Sequence, residues 1–145
     1  MPKPFRPPLP PDGEPILATP TYTCEHVHLR SRDAVAAGHF YVETFGARET
    51  ARIGTPVSRV VLDLGGLTLF IEQVGDEIAP AATPPHRGIE HLGLRVPDIE
   101  AAVADLTARG ITLVAGITQV NPHLRTAFLD GPDGVRIEVL ERKPA

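Results

Sequence analysis

The phrase Glu-His-Val-His-Leu-Arg-Ser-Arg-Asp occupies residues 25–33, and Glu-His-Leu-Gly-Leu-Arg-Val-Pro-Asp occupies residues 90–98. Glutamate, histidine, leucine, arginine and aspartate agree in register between the two phrases, so that His26 and His91 are equivalent. A phrase repeated in a chain of this length indicates two copies of one supersecondary unit. Residues that the two copies share are candidates for a site built between them.

Each copy is predicted to fold as strand, helix, strand, strand, strand. In the first copy Ser31 or Asp33 begins the helix and Gly46 ends it, because short polar side chains cap helix N-termini and glycine accepts the left-handed position after a helix. Apolar alternation predicts the strands, and the glycine pair at 65–66 joins the last two as a hairpin. The predicted strands of this copy are Tyr22–Leu29, Arg48–Ile53, Arg59–Leu64 and Leu67–Val74.

The second copy repeats this order after a proline-containing linker. Its helix begins at Pro97-Asp98 and stops at Gly110. Its strands are predicted at Ile89–Val96, Ile111–Val114, Arg125–Leu129 and Val135–Leu140. We therefore predict an α+β fold in which two tandem βαβββ units form an open, cupped mixed sheet around a metal site. The units are residues 21–75 and 89–142, with a linker at 76–88, in a single domain at 21–145.

The composition limits the partners and the cellular compartment that we expect for the protein. The chain has 145 residues, a formal net charge of −4 and one cysteine. A mildly acidic chain with no basic run argues against nucleic acid or an anionic membrane as a partner. Cys24 alone cannot form an internal disulfide, which favours a reducing cytoplasm. We find no spanning segment of ~20 apolar residues and no signal peptide, so we expect a soluble cytoplasmic domain.

The N-terminal segment 1–20 is rich in proline, with eight of the sixteen prolines of the chain. Proline favours extended or polyproline II conformations and is excluded from helix interiors and central strands. Two interpretations stay open for this segment. It is a mobile tail, or it is an arm that lies along its own or a neighbouring subunit through Phe5, Ile16 and Leu17.

At this point the sequence resembles the vicinal oxygen chelate superfamily, which includes glyoxalase I, methylmalonyl-CoA epimerase, extradiol dioxygenases, and fosfomycin and bleomycin resistance proteins. The resemblance covers about residues 22–142. It is carried by the two histidine phrases and by Phe-Leu-Asp-Gly-Pro-Asp-Gly-Val-Arg-Ile-Glu at residues 128–138. It implies one divalent metal held by first-strand and last-strand residues of each half, which here are His26, His91 and Glu138.

The fourth ligand position of glyoxalase I is not matched. Glu138 follows Gly134 by four residues, and the residue four after Gly66 is Phe70, which cannot bind a metal. Glu72 is on the same strand face and is a possible substitute. Two imidazoles and one carboxylate leave roughly three octahedral positions free and suit Fe, Mn, Ni, Co or Zn. The alternative is that both histidines are buried polar relics of the duplication.

Further side chains are predicted to line the pocket. His28 shares a strand face with the first-strand histidine and is a candidate catalytic proton carrier, with a ligand or a plain wall residue as alternatives. Glu138 is also a catalytic candidate. The remaining pocket candidates are Phe70, Glu72, His123 and Arg125.

Three functions stay open. The three-ligand set favours extradiol-dioxygenase-like chemistry on a small molecule with adjacent oxygens, because the isomerising members that the chain resembles use an extra metal-bound carboxylate as their base. A glyoxalase-like lyase or epimerase is the first alternative. A metal-free small-molecule binding protein of the drug-sequestering kind is the second. By the same resemblance the chain is expected to form a homodimer.

Overall fold

The computed structural model describes residues 20–144, and the predicted proline-rich arm therefore lies almost entirely outside the described residues. The first half contains one helix and four strands, and the second half repeats them with a short 3-10 turn before the last strand. The elements are β1 His26–Ser31, α1 Ala34–Phe45, β2 Arg48–Ile53, β3 Arg59–Leu64, β4 Leu67–Gln73, β5 Leu92–Arg95, α2 Ile99–Ala108, β6 Leu113–Asn121, β7 Leu124–Asp130, the 3-10 turn Pro132–Gly134 and β8 Arg136–Arg142.

The two halves have the same sheet topology, which confirms the predicted pair of βαβββ units. The strand orders are β1-β4-β3-β2 and β5-β8-β7-β6, so each unit forms a four-stranded sheet of its own. The first and last strands of each unit pair in parallel, and the other pairs are antiparallel. A helical crossover is what a parallel pair of strands requires, and α1 and α2 supply it.

The helix ends follow the capping residues that the sequence predicts. Asp33 accepts a hydrogen bond from the backbone of Ala36, and Gly46 adopts the left-handed conformation at φ 71°. In the second unit Asp98 accepts from the backbone N–H groups of the first helical turn. These caps satisfy backbone groups that a helix end otherwise leaves unpaired.

One face of each sheet packs under the helix of its own unit and forms the core. Alternate residues of the strands point to this side, as the period of a β-strand dictates. The largest fully buried side chains are Tyr41, Leu62, Leu69, Ile71, Ile99, Leu129, Ile137, Val60 and Val139. The opposite side of each sheet has no helix of the chain over it, and we call it the open face. On the first sheet it carries His26, His28, Arg30, Arg59, Val61, Phe70 and Glu72.

The two units contact each other through the 3-10 turn and through the ends of the helices. The turn lies against β1, and the carbon position that a side chain at Gly131 would occupy is 3.2 Å from the ring of Phe40 on α1. Arg109, after α2, donates a hydrogen bond to the backbone oxygen of Glu43 on α1 at 3.1 Å. Within residues 20–144, the two units are therefore joined by contacts of the turn and of the helix ends.

The predicted ends of three strands are wrong. β1 begins at His26 rather than Tyr22, because His26 pairs with Thr68 near the start of β4, and residues 22–24 lie beyond the end of that strand. β5 is similarly restricted to Leu92–Arg95. β6 extends to Asn121, well beyond the predicted Val114, since it continues as a hairpin with β7 through three shifts of register.

The outer edges of both sheets are exposed. Every residue of β2 is exposed, and every residue of β6 after Leu113 is exposed as well. The exposed apolar side chains of β6 are Val114 at 50%, Ile117 at 40% and Val120 at 56%. None of the helices in the described part of the chain has the length and apolar character needed to cross a membrane.

Candidate metal centre

The first strand of the first unit presents His26 on the open face. Alternation directs Val27 to the core side and His28 back to the open face. Phe70, on the neighbouring strand β4, stacks on the imidazole of His26 with ring centroids 4.2 Å apart and planes inclined by 29°. The first half therefore offers one imidazole beside an aromatic ring.

The equivalent region of the second unit pairs an imidazole with a carboxylate. His91 directly precedes β5, and its Nε2 lies 3.2 Å from Oε2 of Glu138 on β8. Gly93 is opposite Glu138 in the strand register, and a side-chain carbon at Gly93 would lie 3.4 Å from that same oxygen. The edge of Phe128 borders the imidazole at 5.4 Å between ring centroids. The second half therefore brings together a nitrogen and an oxygen atom of the kinds that bind metals.

Phe70 is the structural counterpart of Glu138. In the first sheet Phe70 lies opposite His28, and in the second sheet Glu138 lies opposite Gly93. His28 and Gly93 are equivalent in the sequence repeat. The position that supplies a carboxylate in one half is thus filled by a phenyl ring in the other.

Each candidate metal-binding histidine contacts the carboxylate of the glutamate that precedes it. Nδ1 of His26 contacts the carboxylate of Glu25, and Nδ1 of His91 contacts the carboxylate of Glu90. A carboxylate on one ring nitrogen fixes the orientation of an imidazole and leaves the other nitrogen to bind a metal. In His91 that other nitrogen is the one that faces Glu138.

Glu72 has two hydrogen-bond partners on the open face of the first sheet. Its Oε2 lies 3.0 Å from Nε of Arg30 and 3.0 Å from Nε2 of His28. The hydrogen bonds from Arg30, and then from His28, lower the pKa of Glu72. This carboxylate is therefore ionised and weakly basic, and two donors already hold it.

Arg125 lies on the helix side of the second sheet, whereas Glu138 faces the open side. Its Nη2 donates to both carboxylate oxygens of Glu141, at 3.1 and 2.9 Å, and its Nη1 donates to Glu100 at 2.8 Å. Glu141 also accepts from the backbone N–H of Ile99, and the bonds from Arg125 and Ile99 lower its pKa. Arg125 therefore ties β7 and β8 to the start of α2.

His123 lies in the turn between β6 and β7. Its backbone N–H donates to the side chain of Asn121 at 2.9 Å, and its backbone oxygen accepts from Lys143. These contacts fix the turn at the end of the second sheet. No contact in the described part of the chain links the His123 side chain to His91 or Glu138.

The three predicted ligands lie on two different sheets. Within residues 20–144, no group of three or more His, Cys, Asp or Glu side chains is close enough together to hold a metal ion. The pair of His91 and Glu138 is assembled, and His26 stands with Phe70 on the first sheet. Imidazole nitrogen and carboxylate oxygen suit first-row divalent metals, so the chemistry of the donor set fits such an ion.

Arg59 is a further residue of the open face, and none of the sequence motifs points to it. Its guanidinium carbon lies 5.2 Å from the ring centre of Phe70 on the open face of the first sheet. The glycine pair at 65–66 is the feature of the sequence from which the position of Arg59 could be predicted. A hairpin symmetrical about that pair sets Arg59 opposite Glu72 and Val61 opposite Phe70, which is the register observed.

Comparison with known proteins identifies relatives of this fold. Residues 23–139 match the sequence description of the Glyoxalase/Bleomycin resistance protein/Dioxygenase superfamily. No curated protein matches the chain significantly. A glyoxalase family protein from Enterococcus faecalis superposes with a TM-score of 0.68 at 26% identity, covering 81% of this chain and 95% of its own.

Two further solved structures have a similar fold. Lactoylglutathione lyase from Agrobacterium tumefaciens gives a TM-score of 0.63 at 21% identity, with 85% of this chain and 96% of that chain covered. TioX from Micromonospora sp. ML1 gives 0.63 at 23% identity, with 84% and 100% covered. At these identities the likeness shows a shared fold.

Proposed function

Because the chain belongs to the Glyoxalase/Bleomycin resistance protein/Dioxygenase superfamily, we propose that it is a metal-dependent enzyme that chelates adjacent oxygens of a small molecule. The proposed ligands are His26, His91 and Glu138. The observation that carries the proposal is the contact of His91 Nε2 with Glu138 Oε2 at 3.2 Å, beside Gly93, which has no side chain to come between them. One divalent ion (Fe, Mn, Ni, Co or Zn) in this position would polarise the chelated oxygens and stabilise negative charge that develops on them.

We further propose that the protein is a homodimer whose site combines the open faces of two chains. His26 belongs to one sheet, and the pair of His91 and Glu138 belongs to the other. An edge strand has unpaired backbone groups, and apolar side chains on it favour contact with another chain. The strand β6 is such an edge strand, and its apolar side chains are exposed. A two-fold axis would give two equivalent sites per dimer.

The reaction class that these residues favour is an oxygenase-like one with three protein ligands. Phe70 fills the counterpart of the Glu138 position and excludes water from one side of His26. Glu72 is ionised and held by two donors, which makes it a poor general base. His28 lies on the same face as His26 and contacts Glu72, so it is placed to take or return a substrate proton.

Two alternative functions can be distinguished by different measurements. A glyoxalase-like lyase or epimerase would have to move its proton with Glu138 or His28, and a solvent-deuterium exchange assay on the substrate detects such a step. A metal-free binding protein is favoured by the stack of Phe70 on His26, which offers a flat surface to a planar ligand. In that case a chelator-treated sample would keep its affinity for ligand.

The composition supports the remaining parts of the proposal. The single cysteine favours a reducing, cytoplasmic setting. The net charge of −4 favours a small molecule over nucleic acid as the partner.

Metal analysis of variants tests the ligand assignment. His91→Ala, purified without chelator, should stay folded by circular dichroism and lose most of its bound metal, because it removes one of the assembled ligands. His39→Ala is the matched control, since His39 is exposed on α1 away from the site, and it should keep its metal. Full metal occupancy in His91→Ala would show that the ligand assignment is wrong.

A further inference from the structure

We propose that Arg59 binds a carboxylate on the substrate, so that the enzyme acts on an anionic molecule whose chelating oxygens are at the opposite end from that carboxylate. The inference rests on the proposed function, because it extends the same site. It adds a specificity residue and a substrate class that the three metal ligands do not provide.

The first support is the position of Arg59 relative to the candidate ligand His26. β4 lies between β1 and β3, and Phe70 on β4 contacts a residue from each neighbouring strand. Its ring centre is 4.2 Å from that of His26 and 5.2 Å from the guanidinium carbon of Arg59. The guanidinium and the imidazole are therefore separated by no more than the sum of these two distances. One small aromatic molecule spans such a gap across its ring.

The second support is the pattern of ion pairs on the first sheet. Arg59 is directly opposite Glu72 in the strand register, yet the Glu72 carboxylate is bound by Arg30 and His28. The other arginines of this sheet have carboxylate partners: Arg48 with Asp63, Arg52 with Glu49 and Arg30 with Glu72. Within residues 20–144, Arg59 takes part in no ion pair. The open face thus has an excess of one guanidinium.

The third support is the way in which Arg59 is held. Its side chain is half-buried and lies over the Phe70 ring, which stabilises a cation and restricts its motion. A guanidinium fixed in this way presents a planar fork of donors that matches a carboxylate. Glu72, which lies opposite, is bound by Arg30 and His28 through Oε2 and makes no ion pair with Arg59, so the fork is available to a carboxylate from outside the sheet.

Two probes that differ only in a carboxylate test the inference. Metal-loaded protein is titrated with catechol, which has the two adjacent oxygens alone, and with 3,4-dihydroxybenzoate, which adds a carboxylate across the ring. The wild type should prefer 3,4-dihydroxybenzoate by about tenfold or more, the effect of one charge-assisted hydrogen-bonded pair. Arg59→Gln should bind the two probes alike, and Arg59→Lys should keep part of the preference, because it retains the charge without the fork.

The control is Arg52→Gln, which breaks an ion pair on the outer strand and should keep the full preference. Equal affinity of the wild type for both probes would overturn the Arg59 assignment while leaving the proposed function intact, and this comparison needs no variant to fold. A preference that survives in Arg59→Gln would also overturn it. If neither probe binds the metal-loaded wild type, the oxygenase-like chelation on which the inference rests is wrong, and the inference fails with it.

Discussion

The ionisation of Tyr41 tests how the two units pack against each other. Tyr41 is on α1, is 1% exposed, and its hydroxyl has no hydrogen-bond partner among the described residues. Burial, and then the negative charge of Asp133 in the 3-10 turn of the second unit, raise the pKa of Tyr41 from 10.0 to about 12. The pKa of Tyr41 therefore reports whether the turn of one unit covers the helix of the other. The perturbation is Tyr41→Phe, which removes the hydroxyl and keeps the ring.

The expected effect on stability follows from the direction of the shift. A raised pKa means that the unfolded chain releases this proton at a lower pH than the folded protein does. Below pH 10.0 Tyr41 is protonated in both states, so its part in the free energy of unfolding is fully present there. Above pH 10.0 the unfolded chain ionises first, and this part of the stability is lost as the pH rises towards the folded pKa of about 12. A shift of this size corresponds to roughly 3 kcal/mol in the free energy of unfolding, at about 1.4 kcal/mol per pH unit.

The assay compares the wild type with Tyr41→Phe. Phenolate absorbance after a rapid pH jump, read before the protein unfolds, gives the titration of Tyr41 as the difference between the two proteins. Urea unfolding at several alkaline pH values should show a steeper loss of stability in the wild type. Near neutral pH the variant should be as stable as the wild type or more stable by ~1 kcal/mol, because it lacks a buried unpaired hydroxyl.

Two results would refute this reasoning. If the difference titration has its midpoint near 10.0, water reaches the Tyr41 hydroxyl and the turn does not cover it. If Tyr41→Phe loses more than ~1 kcal/mol at neutral pH, the hydroxyl has a bonding partner, and the burial argument fails.

Three further predictions concern other parts of the chain. Arg125→Met should lower the midpoint of urea unfolding without changing metal content, because Arg125 braces Glu141 on the helix side; loss of metal would place it in the site instead. Gly38→Ala should lower the free energy of unfolding in urea by ~1–3 kcal/mol, because its new carbon would lie 3.0 Å from a valine methyl of β3. The control is Gly116→Ala, which has nothing within 4 Å of its new carbon and should fold without a clash. Phe70→Glu should tighten metal binding by adding a fourth ligand and suppress any oxygen consumption with catechol; unchanged metal affinity would show that position 70 is not beside the metal.

Much of the fold could be predicted from the chain because its signals are local. The histidine phrase and its repeat determined the number of units and their order. Asp33 and Gly46 bounded the first helix because capping depends on side chains within a few residues. The hairpin at 65–66 even contains the register that sets Arg59 opposite Glu72.

The remaining features depend on partners that are distant in sequence. β1 could not be bounded at His26 without knowing that it pairs with the start of β4. The predicted end of this strand at Val114 is too early, since the extension of β6 to Asn121 depends on its pairing with β7. Arg125 is three residues before Phe128 on β7, so strand alternation places Arg125 on the helix side, whereas its prediction as a pocket residue uses no strand face.

Complementation between two defective chains tests the central claim most directly. One chain has His26→Ala and the other His91→Ala, each with a different affinity tag, and the heterodimer is isolated after co-expression and analysed for metal. If the site combines His26 of one chain with His91 and Glu138 of another, the heterodimer keeps one intact site and binds about one metal ion per dimer, while both mutant homodimers bind none. A heterodimer as empty of metal as the mutant homodimers would contradict the account, because a site contained within one chain is damaged in both mutants.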